Sequence, residues 1–163
     1  MPSQKEIDFA QQVKEHEMLI YKVCRIYAAT EADRDDLYQE IVLQLWHSFE
    51  KFRGESRFST WLYRVAINTA ISGLRKQKDF ISSFEPAQLP VVPDEPPGNE
   101  EVRLTELYRA ISQLNVIEKA IVMLYLEDRS YDEMQEILGI NSGNLRVKMT
   151  RIKDKLRQMT KNS

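Results

Sequence analysis

Residues 79–101 set the strongest limit on how this chain folds. Pro86, Pro90, Pro93, Pro96 and Pro97, with Gly98 after them, interrupt any helix or strand, because proline fixes φ and lacks an amide donor. The same stretch carries Asp79, Glu85, Asp94, Glu95, Glu100 and Glu101 and no Lys or Arg. It reads as a flexible, acidic, proline-rich linker, extended in part like polyproline II. The 163 residues are thereby divided into segments 1–78 and 102–163, each the size of a small domain.

Both segments carry helical periodicity. Phe9 and Val13 begin a pattern continued by Leu19, Ile20, Val23 and Ile26. Leu37, Ile41, Leu45 and Phe49, four apart, predict a helix from about Asp33 to Phe49, with Asp33, Asp35 and Asp36 at its positive end. Residues 52–56 form a break, after which Ser59 or Thr60 is placed to cap a helix buried through Trp61, Leu62, Val65, Ala66, Ala70 and Leu74. Beyond the linker, Val102, Leu107, Ile111 and Leu114 predict one helix and Ile117 to Leu126 a shorter one. Ser130 and Glu133 have the spacing of a capping box, Gly139 suits a helix stop, and Asn141 or Ser142 can cap a last helix buried through Leu145, Met149, Ile152 and Leu156. No segment calls for a strand. The expected fold is all-α, in two small helical domains.

Charge matters through its segregation, since the net value is only -2. Acids dominate 31–50 and bases dominate 51–78; acids fill the linker, and from Gly139 onward only Asp154 opposes seven bases. Two basic blocks set between acidic ones suggest nucleic-acid surfaces beside protein-facing ones. The single Cys24 excludes an internal disulfide and fits a reducing cytosol, where a small buried hydrophobe is its ordinary role. No apolar run reaches the roughly 18 residues that span a bilayer, and Met1 to Glu17 is not a signal peptide.

The segment Ser130–Gly139, Ile140–Ser142, Gly143–Arg157 has helix-turn-helix spacing. Asn144, Arg146, Lys148 and Arg151 fall in the first half of its second helix, where base edges and phosphates would be met; Arg reads guanine with a bidentate fork and Asn reads adenine. A second block interleaves Phe58, Trp61 and Tyr63 with Arg53, Arg57, Arg64, Asn68, Arg75 and Lys76. Aromatic faces beside cations suit unstacked bases, and Asn68 can read a base edge; the same rings serve equally well as core. His16 and His47 have no Cys partner at metal spacing, and Asp35, Asp36 and Glu40 lack a complementary catalytic set, so no catalytic residue, metal or cofactor is expected.

These residues resemble a known family. Asp36-Leu37-Tyr38-Gln39-Glu40 with Leu45-Trp46 and Phe49 looks like region 2.2 of the extracytoplasmic-function sigma factors of bacterial RNA polymerase. Phe52–Ser56 and Phe58–Asn68 are similar to regions 2.3 and 2.4, and Ser130–Gly139 with the basic helix after it to region 4. The resemblance implies a cytoplasmic promoter-recognition subunit. Asp36, Gln39 and Glu40 would dock on the clamp helices of the polymerase β′ subunit. Arg53, Phe58, Trp61, Arg64, Asn68, Arg75 and Lys76 would read and melt the minus-ten element. Asn144, Arg146, Lys148 and Arg151 would read the minus-thirty-five element near the β flap. Partners would be core polymerase, promoter DNA and, in some family members, an anti-sigma factor. Three residues depart from the family's pattern: Gln135 where a small Ala is usual, Arg129 for a usual Leu, and Ser72 where an acid is common. Two rival readings are a helix-turn-helix regulator that works without core polymerase and an adaptor that binds no DNA.

Overall fold

A computed structural model describes residues 1–52, 54, 56–81 and 99–161, of which 76–81, 99–101 and 161 by backbone only. The described residues form eight helices and one 3-10 turn, and none is in a strand. The chain divides into two compact units, Met1–Pro86 and Ala87–Ser163.

The first unit holds α1 (Gln4–Glu15), α2 (Glu17–Tyr27), α3 (Glu31–Ser48), a 3-10 turn (Phe49–Lys51) and α4 (Phe58–Ile81). The periodicity that ran unbroken from Phe9 to Ile26 covers two helices. His16 parts them: its N–H reaches the carbonyls of Gln12 and Val13, and its Nδ1 lies 2.9 Å from the Gln12 carbonyl. Thr30 caps α3, its Oγ1 accepting from the Asp33 N–H at 3.1 Å. Neither Ser59 nor Thr60 caps α4, which already starts at Phe58; Thr60 is buried inside it. Helices α2, α3 and α4 enclose a core of Ile20, Val23, Cys24, Ile41, Leu45, Leu62, Tyr63, Ala66 and Ile67. Cys24 is 1% exposed, and burial pushes its thiol up to about 11, Arg34 lowering it and Asp35 raising it, so the sulfur behaves as an inert hydrophobe.

The second unit holds α5 (Asn99–Ser112), α6 (Val116–Leu126), α7 (Tyr131–Leu138) and α8 (Ser142–Lys161). Both ends of the expected linker 79–101 are helical: α4 continues to Ile81, and α5 opens on Asn99, Glu100 and Glu101, where negative charge favours a helix start. The remainder, 82–98, lies outside the described residues. Ala120 to Leu124 are all buried in α6, against which α8 packs with Leu145, Met149 and Ile152. Gly139 ends α7 in the left-handed conformation, φ 72, that glycine adopts without steric cost.

Ser130 accepts from the Glu133 N–H at 3.1 Å, but Glu133 does not answer as a capping box requires. Its Oε2 takes Nη1 of Arg129 at 3.2 Å, a partner supplied by the Arg that stands where the resemblance leads one to expect Leu. The complete box lies at α6. There Asn115 Oδ1 accepts from the Glu118 N–H at 2.8 Å, and Glu118 Oε1 accepts from the Asn115 N–H at 3.1 Å. Burial alone would raise the Glu118 carboxyl, but the hydrogen bonds from Lys155 and Asn115 and the charges of Lys155 and Lys148 hold it below the usual carboxylate value. A carboxyl depressed in the folded state stabilises above its unfolded pKa, and this contribution disappears as pH falls through the folded value. Asn115→Ala should therefore lower stability by about 1 kcal/mol at neutral pH. Glu118→Gln should weaken the dependence of stability on pH in the acid range, a change that urea titrations at stepped pH will measure.

Candidate nucleic-acid interface

Helix α3 separates two faces. Ile41 and Leu45 are fully buried on one; Asp36, Gln39 and Glu40 are exposed on the other, with Glu40 Oε1 accepting from Gln44 Nε2 at 3.0 Å. Leu43 stands among them, four residues after Gln39 and 47% exposed. Sequence analysis did not single it out as a candidate, although the signal was present: Leu43 is out of phase with the Leu37, Ile41, Leu45 repeat. An exposed leucine ringed by acidic and amide groups makes the face amphipathic and suits a protein partner better than solvent alone.

Helix α4 is buried through Trp61, Leu62, Tyr63, Ala66, Ile67 and Ala70, while Arg64, Asn68, Ser72 and Arg75 are exposed. These last four recur at intervals of three and four, which places them along one side of the helix. The rings take a different role from the polar residues. Trp61 is 9% exposed and lies among Phe52, Phe58 and Phe49, with centroids 5.1, 5.4 and 6.5 Å away. Phe58 also meets Phe52 at 5.6 Å and His16 at 4.9 Å. Tyr63 is 1% exposed. Phe49, Phe52, Phe58 and Trp61 thus form one cluster of rings at the start of α4. Arg53 lies outside the described residues, and Lys76 is described by its backbone only.

In α8 the exposed residues Asn144, Arg146, Lys148 and Arg151 do not share one edge. Asn144, Lys148 and Arg151 are four and three apart and fall on one flank of the buried stripe. With Lys155, both Lys148 and Arg151 line a cleft of about 570 Å³ to which Val116, Ile117 and Ile140 contribute apolar side chains. Lys155 Nζ is held at 2.6 Å by Glu118 Oε2. Arg146 falls on the opposite flank, its guanidinium 4.6 Å from the centroid of the Tyr131 ring of α7. The start of α8 is capped twice. Asn141 Oδ1 accepts from the Gly143 N–H at 2.7 Å, and Gln135 Oε1, reaching across from α7, accepts from the Ser142 N–H at 3.0 Å. Gln135 is exposed, so the departure from a small residue leaves the contact between α7 and α8 intact and adds an acceptor to the turn.

Among the described residues no group of three or more His, Cys, Asp and Glu side chains is placed to hold a metal ion, and no helix is long and apolar enough to cross a membrane. The arrangement offers hydrogen-bond donors and positive charge along two helices, and an acidic face with one apolar centre on a third.

The family model for Sigma-70 region 2 matches residues 12–80, and that for Sigma-70, region 4 matches residues 104–156. The chain is 29% identical over 163 residues to the ECF RNA polymerase sigma factor SigW of Bacillus subtilis, covering 92% of this chain and 87% of that protein. It is 28% identical over 157 residues to the RNA polymerase sigma factor SigV of the same organism, covering 91% and 89%. The ECF RNA polymerase sigma-E factor of Haemophilus influenzae is 30% identical over 135 residues, 75% of this chain and 71% of that protein. In fold, the chain is similar to the sigma factor RpoE of Bartonella quintana, solved in complex with the anti-sigma factor NepR. The TM-score is 0.82 at 19% identity, covering 94% of this chain and 97% of that one.

Proposed function

The chain belongs to the extracytoplasmic-function group of sigma-70 factors, and from that membership we propose how its surfaces divide the work. As a sigma factor it binds core RNA polymerase, recognises promoter DNA and initiates transcription. Residues 1–78 act as the polymerase-docking and minus-ten domain, and residues 102–163 as the minus-thirty-five domain. The exposed face of α3, with Asp36, Gln39 and Glu40, docks on the β′ clamp helices, and Leu43 supplies an apolar anchor at its centre. On α4, Arg64, Asn68 and Arg75, joined by Arg53 and Lys76, meet the melted minus-ten strand. Phe58 and Trp61 act there mainly by holding the helix and its entering loop in place. Asn144, Arg146, Lys148 and Arg151 meet the minus-thirty-five duplex, with the β flap nearby. The protein works in the cytoplasm, where its polymerase is, and an anti-sigma factor is a fitting regulator, as for the RpoE of the solved complex.

The observation that carries this reading is the match of both family regions, in order, to the two units that bear the exposed polar faces. Run-off transcription from genomic fragments tests it, using purified core polymerase with and without the chain. Specific transcripts that need both are the expected result. Tight sequence-specific binding by the chain alone, with no effect on transcription, would point to a regulator that works without polymerase. Replacing Asp36, Gln39 and Glu40 together by Ala should weaken core-polymerase affinity by roughly tenfold or more with helicity unchanged. Co-purification and circular dichroism provide the two readouts, and unaltered co-purification refutes the docking face.

A further inference from the structure

Two contacts made by α7 converge on the start of α8. Tyr131, in the first turn of α7, places its ring 4.6 Å from the Arg146 guanidinium. Gln135, four residues on and therefore on the same side of α7, accepts the Ser142 N–H at 3.0 Å. Neither side chain is buried, so neither contact is a by-product of core packing. The α7–α8 core is made by Met134, Ile137, Leu145 and Met149, on other faces of the two helices.

We propose that Tyr131 and Gln135 are positioning residues for base selection: together they fix the direction of the Arg146 fork and the seat of the α8 N-terminus. This rests on the reading of Arg146 as a residue that meets a base in the minus-thirty-five duplex. A free arginine side chain samples many rotamers and loses that freedom on binding. An arginine laid over an aromatic face has part of its orientation set in advance, through the attraction between cation and ring. Fixing the helix end matters for the same reason, because a bidentate fork on a base edge tolerates little displacement. The Gln135 amide accomplishes this from a neighbouring helix, so the angle of α8 is tied to α7 at its reading end as well as through the buried stripe. A phosphate contact needs no such precision, so the positioning should appear in sequence preference rather than in general affinity.

The test uses polymerase holoenzyme reconstituted with the full chain. It selects from duplexes randomised across the minus-thirty-five element and carrying a pre-melted minus-ten bubble, so that melting does not enter. For wild type, one position should show a strong base preference that Arg146→Ala removes. Tyr131→Leu, which keeps an apolar side chain without a π-face, should flatten that preference by roughly two- to fivefold. Tyr131→Phe should retain it, since the ring and not the hydroxyl carries the contact. Gln135→Met has similar length and no acceptor and should also flatten it, while Gln135→Glu restores an acceptor and should keep the profile despite weaker overall binding. Preferences at other positions should stay as in wild type, and thermal melts of each variant identify any loss of folding. A uniform fall in binding with an unchanged profile in Tyr131→Leu and Gln135→Met would overturn the positioning role, as would Tyr131→Phe behaving like Tyr131→Leu. If Arg146→Ala itself leaves the profile unchanged, the failure lies in the reading of Arg146 as a base contact.

Discussion

Trp61→Ala should destabilise the first unit by about 3–5 kcal/mol, the usual effect of emptying a large aromatic site. That is a large share of the roughly 5–10 kcal/mol that holds a small domain folded. The ring is 9% exposed and has Phe49, Phe52 and Phe58 around it, so its removal leaves a hole that three other rings line. These rings cannot close it by simple relaxation, because Phe49 follows directly on α3 and Phe58 opens α4. Phe52 and Phe58 should therefore lose their fixed packing, and holoenzyme activity should fall to near background even with Arg64, Asn68 and Arg75 untouched. Hydrogen exchange is the informative measurement. Protection should drop in α3 and α4 and stay unchanged in α6, α7 and α8, as expected if the two units fold separately. Equal loss in both sets would show that the chain unfolds as one cooperative body. Full activity of Trp61→Ala would remove the packing role given to the ring cluster.

Asn68→Ala and Arg146→Ala should fail at different stages of initiation. Asn68 is exposed on the polar side of α4 with Arg64 and Arg75, the surface assigned to the melted strand. Its loss should impair open-complex formation more than initial binding, and a template already mismatched across the minus-ten bubble should recover much of the defect. Arg146 is proposed to meet a base in intact duplex; on that reading Arg146→Ala should weaken initial binding by about 1–3 kcal/mol and relax preference at one position. Lys148→Ala and Arg151→Ala, on the cleft side of α8, provide the contrast. If they meet phosphate, binding should fall about equally on all sequences, and the salt slope should become shallower by roughly one unit per contact. Permanganate footprinting beside a binding titration separates the stages. If Asn68→Ala reduces duplex binding and melting in equal proportion, or Arg146→Ala leaves binding intact, the division of labour is wrong.

The all-α class, the helix-turn-helix and most of the buried stripes were legible in the sequence because apolar spacing reports directly on which face a helix hides. Leu145, Met149 and Ile152 are an example: all three are buried where their spacing puts them. What spacing cannot report is which of several partners a polar side chain takes. Asn115–Glu118 and Ser130–Glu133 have the same capping spacing, yet only the first closes fully. Glu133 turns its Oε2 to Arg129 on the N-terminal side of α7, whereas Glu118 takes Lys155 on Oε2 and the Asn115 amide on Oε1. The aromatic block had two readings for a related reason. Composition places Trp61 and Tyr63 beside arginines, but both are buried, and the cover of Trp61 includes Phe49 of the 3-10 turn, on which Phe9 of α1 also packs. Arg146 could be proposed from sequence as a nucleic-acid contact. Its separation from Lys148 and Arg151 follows from helical angle alone, while its seat on Tyr131 depends on how two helices cross.

The ring cluster also makes half of the molecule optically distinct. Trp46 and Trp61 are the two tryptophans of the chain, and both belong to the first unit; the second contributes only tyrosine. Indole emission excited at the red edge of its absorption therefore reports on residues 1–86 alone. Trp46, with the Lys5 ammonium 4.9 Å from its ring, and Trp61, shielded by three phenylalanines, should differ in emission maximum and in access to iodide. Nucleic acid does not emit in that range, so the binding proposed for the α4 surface can be titrated without attaching a dye, and the unfolding of one unit can be followed while the other remains dark.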